Sequence, residues 1–130
     1  MLLDELATRL GTVSGLTYPI RVGVMPNDVV ECLVIREVPG LGAELGFGKV
    51  GIYLEHPLIT VEVRCPVEDY ATGRAQLELA FQDLPKVQAT ELSGTLYHHI
   101  IPRQAPYLAY TDEKKRPVLA FTADVTKVPS

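Results

Sequence analysis

The sequence of 130 residues predicts a single α+β domain spanning residues 1–130: a mostly antiparallel, mixed sheet of four to six strands with two helices packed on one face. Three features point there. Apolar residues recur at helical spacing in two separate stretches. Alternating, β-branched stretches fill most of the remaining chain, in the order helix, two or three strands, helix, two or three strands. No internal repeat or linker interrupts that order, and helices set apart from runs of strands gather on one side of an antiparallel sheet. A chain of this length buries roughly two thirds of the surface its unfolded form exposes, enough for one core.

The elements follow in order. Leu2, Leu3, Leu6, Ala7 and Leu10 recur at spacings of three and four, with Asp4, Glu5, Thr8 and Arg9 between them, which makes an amphipathic helix. Gly11 stops it. Residues 19–25 and 29–38, rich in Ile and Val, read as a pair of strands around a turn at Pro26-Asn27-Asp28. Residues 39–51 carry five glycines and read as a long, glycine-rich loop. In the next strand Ile59, Val61, Val63 and Cys65 fall on one face and Thr60, Glu62 and Arg64 on the other. Pro66 ends it, and from Glu68 the period becomes helical: Tyr70, Leu77, Phe81 and Leu84 share one line, with Gly73 and Ala80 near its edge. Glu68 and Asp69 sit in the first turn, where the helix dipole favours carboxylates, and Pro85 follows the end. Residues 87–102 contain extended segments broken at Ser93-Gly94. Residues 106–128 read as a hairpin closed over 111–117, with Leu119, Phe121, Ala123 and Val125 alternating against Ala120, Thr122, Asp124 and Thr126.

Composition narrows the function. With 47% hydrophobic and 22% charged residues the chain is an ordinary globular protein, and its net charge of −4 argues against a general nucleic-acid or anionic-membrane binder. The amino terminus lacks the basic and apolar regions of a signal peptide, and no apolar run approaches the roughly twenty residues that span a bilayer. A cytosolic site of synthesis is expected, in which Cys32 and Cys65 stay reduced and serve as small core hydrophobes.

Chemical motifs are weak throughout. Residues 46–51 match G-x-G-x-x-G, but the nucleotide-binding form follows a strand and opens a helix, whereas here a strand follows. His98 and His99 are adjacent on an extended segment and so point to opposite faces, which is awkward for joint metal ligation; His56 precedes Pro57 in a turn. A Cys65 nucleophile with His56 or His98 needs a partly exposed, electropositive thiol, and Cys65 lies on an apolar face. Ser14, Ser93 and Ser130 sit in no nucleophile elbow. The expectation is no enzyme, no catalytic residue, no cofactor and no metal.

Surplus apolar surface stands out instead. Leu79 lies opposite the buried line of the second helix with Ala75 beside it, and the glycine-rich loop displays Leu41, Leu45 and Phe47; together they suggest subunit contacts. Lys114, Lys115 and Arg116 make the one run of three basic residues, at the hairpin tip.

The chain resembles the minor capsid or tail-completion proteins of tailed bacteriophages, including the tail terminators. The residues that carry the likeness run in order along nearly the whole length. They are the Met-Leu-Leu-Asp-Glu-Leu helix, the Met25-Pro26-Asn27-Asp28 turn, the glycine-rich insert, Pro57 with a strand ending Val63-Arg64, and Asp69-Tyr70 opening a helix with Ala71, Arg74 and Ala75. Pro106-Tyr107-Leu108, the turn at Asp112 and the closing strand Phe121 to Val125 complete it. Ala109 stands where a Gly is common and Thr122 where an Asn is common. The resemblance implies a virion subunit, made in the bacterial cytoplasm, that forms a homo-oligomeric ring, a hexamer, at the head-proximal end of the tail. There it would end the tail tube, bind the tube protein and a head or neck connector, and touch DNA in the lumen only passively, with no membrane involved. The alternatives are a head-completion or neck connector protein and a small Cys-His enzyme.

Overall fold

A computed structural model describes residues 2–26, 29–38, 44–45 and 52–129, with 44–45 and 52–53 described by their backbone. The chain runs α1 (Leu2–Leu10), β1 (Ile20–Val22), β2 (Cys32–Val38), β3 (Glu44–Leu45), β4 (Ile52–Leu54), β5 (Leu58–Arg64), α2 (Tyr70–Asp83), β6 (Gln88–Leu92), β7 (Thr95–Pro102), β8 (Tyr107–Thr111) and β9 (Pro117–Lys127). The α+β expectation holds: one mixed sheet in the order β1-β2-β5-β9-β7-β6, with β8 also paired to β9, and a separate β3–β4 pair. The sheet is six strands wide although seven take part. β7 pairs with the carboxyl half of β9 and β8 with its amino half, so the two lie end to end along one edge of the longest strand.

The pair formed by β1 and β2 departs from the sequence reading. A turn between them suggested neighbours of opposite direction, yet β1 runs parallel to β2, with Ile20 opposite Leu33 and Val22 opposite Ile35. β1 is also shorter than expected. β1 ends just before Gly23, which at φ +90° takes the left-handed conformation that favours glycine.

Alternation then builds the core. Leu33 and Ile35 of β2, Ile59, Val61 and Val63 of β5, and Leu119, Phe121, Ala123 and Val125 of β9 face the helices. Leu2, Leu3, Leu6 and Leu10 of α1 and Leu77 and Ala80 of α2 close over them. The sheet curls enough for α1 to touch both β2 and β6. Phe81 meets Phe121 edge to face at 5.4 Å. Each large side chain of this kind contributes about 1.5–3 kcal/mol on burial.

α2 is rotated from its expected phase. Tyr70 is exposed, while Gln76 is buried. The Gln76 amide explains the rotation: its Oε1 accepts from the Thr17 and Tyr18 amides at 2.8 and 3.0 Å, and its Nε2 donates to the Gly15 carbonyl at 2.9 Å, which fastens the α1–β1 connection to the helix. Gly73 sets how closely the helix approaches the sheet. A Cβ there would lie 2.5 Å from Cys65 Sγ and 2.6 Å from its Cβ. Gly73→Ala is therefore expected to lose about 1–3 kcal/mol by overpacking, despite a gain of about 1 kcal/mol in helix propensity. Urea titration checks it, and Cys65→Gly in the same chain should recover more of the loss than Cys65→Ala, which keeps the clashing Cβ.

Candidate assembly surface

The sheet face away from the helices carries polar side chains, many of them covered. Thr60, Glu62 and Arg64 are all buried, so β5 is enclosed on both sides and the expectation of a half-buried strand is corrected. Glu62 is held by Arg36 at 2.5 Å. Arg64 reaches under the β1–β2 connection, donating to the carbonyls of Pro26 and Val29 and, through Nε, to Val30 at 3.2 Å. Farther along, Arg103 grips Asp124 with two bonds of 2.8 and 2.9 Å, and Gln104 accepts from the Thr122 hydroxyl and amide. Covered Glu62 and Arg64 require partners, and segments distant in sequence provide them, whereas the Arg103 and Gln104 contacts lie at the exposed surface.

The hairpin tip is built around Asp112. Its Oδ1 accepts from the Lys114 and Arg116 amides at 3.0 and 2.8 Å, and its Oδ2 from Arg116 Nε at 2.8 Å. Desolvation works to raise the Asp112 pKa, but the Arg116 and Lys114 contacts prevail and hold it below the usual carboxylate value. Lys115 adopts φ +62° to complete the turn. The basic triplet thus divides: Arg116 serves the turn, while Lys114 and Lys115 are exposed. Tip and sheet face border a cleft of about 530 Å³ lined by Met25, Arg64, Tyr110, Asp112, Lys114 and Arg116.

The other sequence candidates are placed separately. Ala75 is exposed on α2, and Leu79 is half-buried, its Cδ1 3.5 Å from where a Cβ on Gly15 would stand. Leu79 borders a groove with Val13, Gln82 and the ion pair Arg9–Asp83, whose shortest contact is 3.1 Å. Leu41 and Phe47 lie outside the described residues; Leu45 is in β3, its backbone opposite Ile52, with its side chain likewise outside.

Candidate chemistry is dispersed. Cys65 is fully buried, and its thiol pKa is raised by burial and by the nearby Asp69 and Glu31 carboxylates. Cys65 follows β5 and His56 precedes it, so a seven-residue strand, on the order of 20 Å, separates them. His56 instead lies 3.3 Å from the Thr126 hydroxyl. His98 stands at the same far end, where β7 meets the carboxyl end of β9, so neither proposed Cys-His pair is brought together. The simple alternation expected of His98 and His99 is broken by a bulge between Tyr97 and His99, and both border a groove of about 410 Å³. Among the described residues no group of three His, Cys, Asp or Glu side chains is arranged to hold a metal ion. No described helix is long and apolar enough to cross a membrane.

What the sequence reading missed is the row of apolar side chains along the β7–β8 margin: Ile101, Tyr107, Leu108 and Tyr110 are all exposed. The signal was a short Tyr-Leu-Ala-Tyr run between a proline and a charged turn. It could equally have been a covered strand.

The fold has solved counterparts. A chain of the virion of a native gene transfer agent particle superposes with a TM-score of 0.59 at 13% identity, over 95% of this chain and 84% of that one. A second solved chain gives the same TM-score and identity over 99% of this chain and 91% of its own. At that identity the likeness is one of fold. No protein-family model and no curated protein matches the sequence.

Proposed function

We propose that this protein is a non-enzymatic structural subunit of a phage-like particle, acting as a tail terminator: a ring, a hexamer in our reading, at the head-proximal end of the tail that ends the tube and joins it to the head. The observation that carries this reading is the near full-length likeness in fold to a chain of a gene transfer agent virion. Exposed apolar side chains on a chain with dispersed chemistry support a role in assembly. The mechanism is recognition between surfaces, so its partners are other copies of the chain, the tube protein and a connector. Light scattering on a sizing column, followed by imaging of the ring on polymerising tube protein, tests it. A ring that caps tubes is expected. A ring that binds only a connector would make it a neck protein, and a monomer at every concentration would remove the assembly role.

Two variants probe the surfaces. Leu79→Asp is expected to keep the monomer's circular dichroism while shifting assembly to smaller species, since burying a lone carboxylate at a subunit contact is costly. Loss of the fold would mean that Leu79 serves only the groove beside Gly15. Lys114→Ser with Lys115→Ser spares Arg116 and hence the Asp112 turn. This double variant should fold and form rings but join tails to heads less well. The defect should depend on salt, because charges beyond about 10 Å are screened at 0.1 M. Unchanged joining at low and physiological salt would leave these lysines as a solvated turn.

A further inference from the structure

We infer that neighbouring copies join edge to edge, β8 of one copy pairing with β1 of the next so that the sheet continues across the subunit boundary; this rests on the ring reading above. β1 pairs only with β2 and β8 only with β9 among the described residues, so each presents a free backbone edge. Exposed apolar side chains concentrate at these two margins. Val22, Val24 and Val30 stand at one, and Ile101, Tyr107, Leu108 and Tyr110 at the other, leaving only Val67, Tyr70 and Leu96 elsewhere among the described residues. Two unlike sticky edges on one chain are what a head-to-tail, ring-forming contact requires, whereas a twofold dimer would need one self-complementary patch.

Strand direction supports this partner. β2 and β5 are antiparallel, as are β5 and β9, and β9 and β8, so β8 runs opposite to β2. β1 is parallel to β2, hence β8 and β1 have opposite directions. A rotation about an axis along the strands preserves direction, so β8 meets the neighbour's β1 as an antiparallel pair, the more stable ladder. Had β1 and β2 formed a hairpin, the junction would have been parallel.

The faces match as well. Val22 lies opposite Ile35 and Leu108 opposite Leu119, both on the helix-covered side. Ile20, opposite Leu33, stands on the same row as Leu108, so across the junction Ile20 faces Leu108, with Val22 next along the same face. Arg21 lies opposite Val34, while Tyr107 and Tyr110 lie opposite Ala120 and Val118, on the other side. There the exposed guanidinium meets two tyrosine rings, a favourable arrangement for a cation.

Cysteine pairs in the full chain test the junction: Ile20→Cys combined in turn with Tyr107→Cys, Leu108→Cys or Tyr110→Cys, with folding checked by circular dichroism. Cys32 and Cys65 are buried and stay in place. After mild oxidation, gels without reductant should show a ladder of linked species ending at the ring mass, strongest for the Leu108 pair, with single variants unlinked. A ladder without a closed end supports the edge pairing and contradicts the ring. A ring by light scattering with no ladder from any pair overturns the edge pairing alone, as do linked dimers from Ile20→Cys by itself. A strict monomer overturns both.

Discussion

Arg64→Met is expected to lower the free energy of unfolding by about 3 kcal/mol, seen in a urea titration as a lower midpoint at unchanged slope. Arg64 is 2% exposed, and its guanidinium is the point at which the β1–β2 connection is tied to the sheet. It donates to Pro26, Val29 and Val30, and its Nη1 lies 3.9 Å from Asp112, which links the same group to the hairpin tip. Methionine fills a similar length but donates nothing, so covered carbonyls lose charged donors and must open to water or remain unsatisfied. Amide exchange should accordingly accelerate in residues 24, 25 and 29–31 more than in β9. Arg64→Lys retains the charge without the planar fork and should recover less than half of the loss. A cost below about 1 kcal/mol would show that the connection is held by its own backbone.

Glu5→Ala is expected to cost a comparable amount, about 3 kcal/mol, by orphaning buried donors at roughly 1–3 kcal/mol each. Glu5 Oε2 accepts from the Thr95 hydroxyl and Oε1 from the Tyr97 hydroxyl, both at 2.7 Å. Burial works to raise the carboxyl pKa, but the Thr95 and Tyr97 bonds and the positive charge of the amino terminus and Lys127 hold it below the usual 4.5. The sign follows: a lowered carboxyl pKa contributes stability that is present above the unfolded value and is lost as pH falls through the folded value. The stability difference between the natural chain and Glu5→Gln should therefore be constant at neutral pH and shrink as pH falls below about 4.5. A difference that stays flat down to acid unfolding would mean that Glu5 acts only by packing.

Much of the secondary structure was legible because it is local. The stripe Leu2, Leu3, Leu6 and Leu10 and the alternation Leu119, Phe121, Ala123 and Val125 carry their own period, and the structure buries every one of these residues. The hairpin around residues 111–117 was legible too, since Asp112 and its polar neighbours are turn formers whose bonds stay within the turn. Of the candidate site, the basic triplet Lys114, Lys115 and Arg116 was read as charge at a tip; that Arg116 binds Asp112 while the two lysines stay exposed was not legible. The exposed β7–β8 margin was hidden, because Tyr, Leu and Ile look the same in a sequence whether another strand covers them or not.

The sequence by itself determined the α+β class, the two helices, the face of β5 and β9 that enters the core, and the reading of both cysteines as buried hydrophobes. Those properties depend on spacing within a few residues, which side-chain period records directly. Only the tertiary structure decided that β1 runs parallel to β2, that Gln76 is buried and Tyr70 exposed, and that Glu5, Glu62 and Arg64 are covered polar groups. Thr95 and Tyr97 meet Glu5 across 90 and 92 positions of chain. A buried polar side chain is tolerated only where such distant partners arrive, and local pattern holds no record of their arrival.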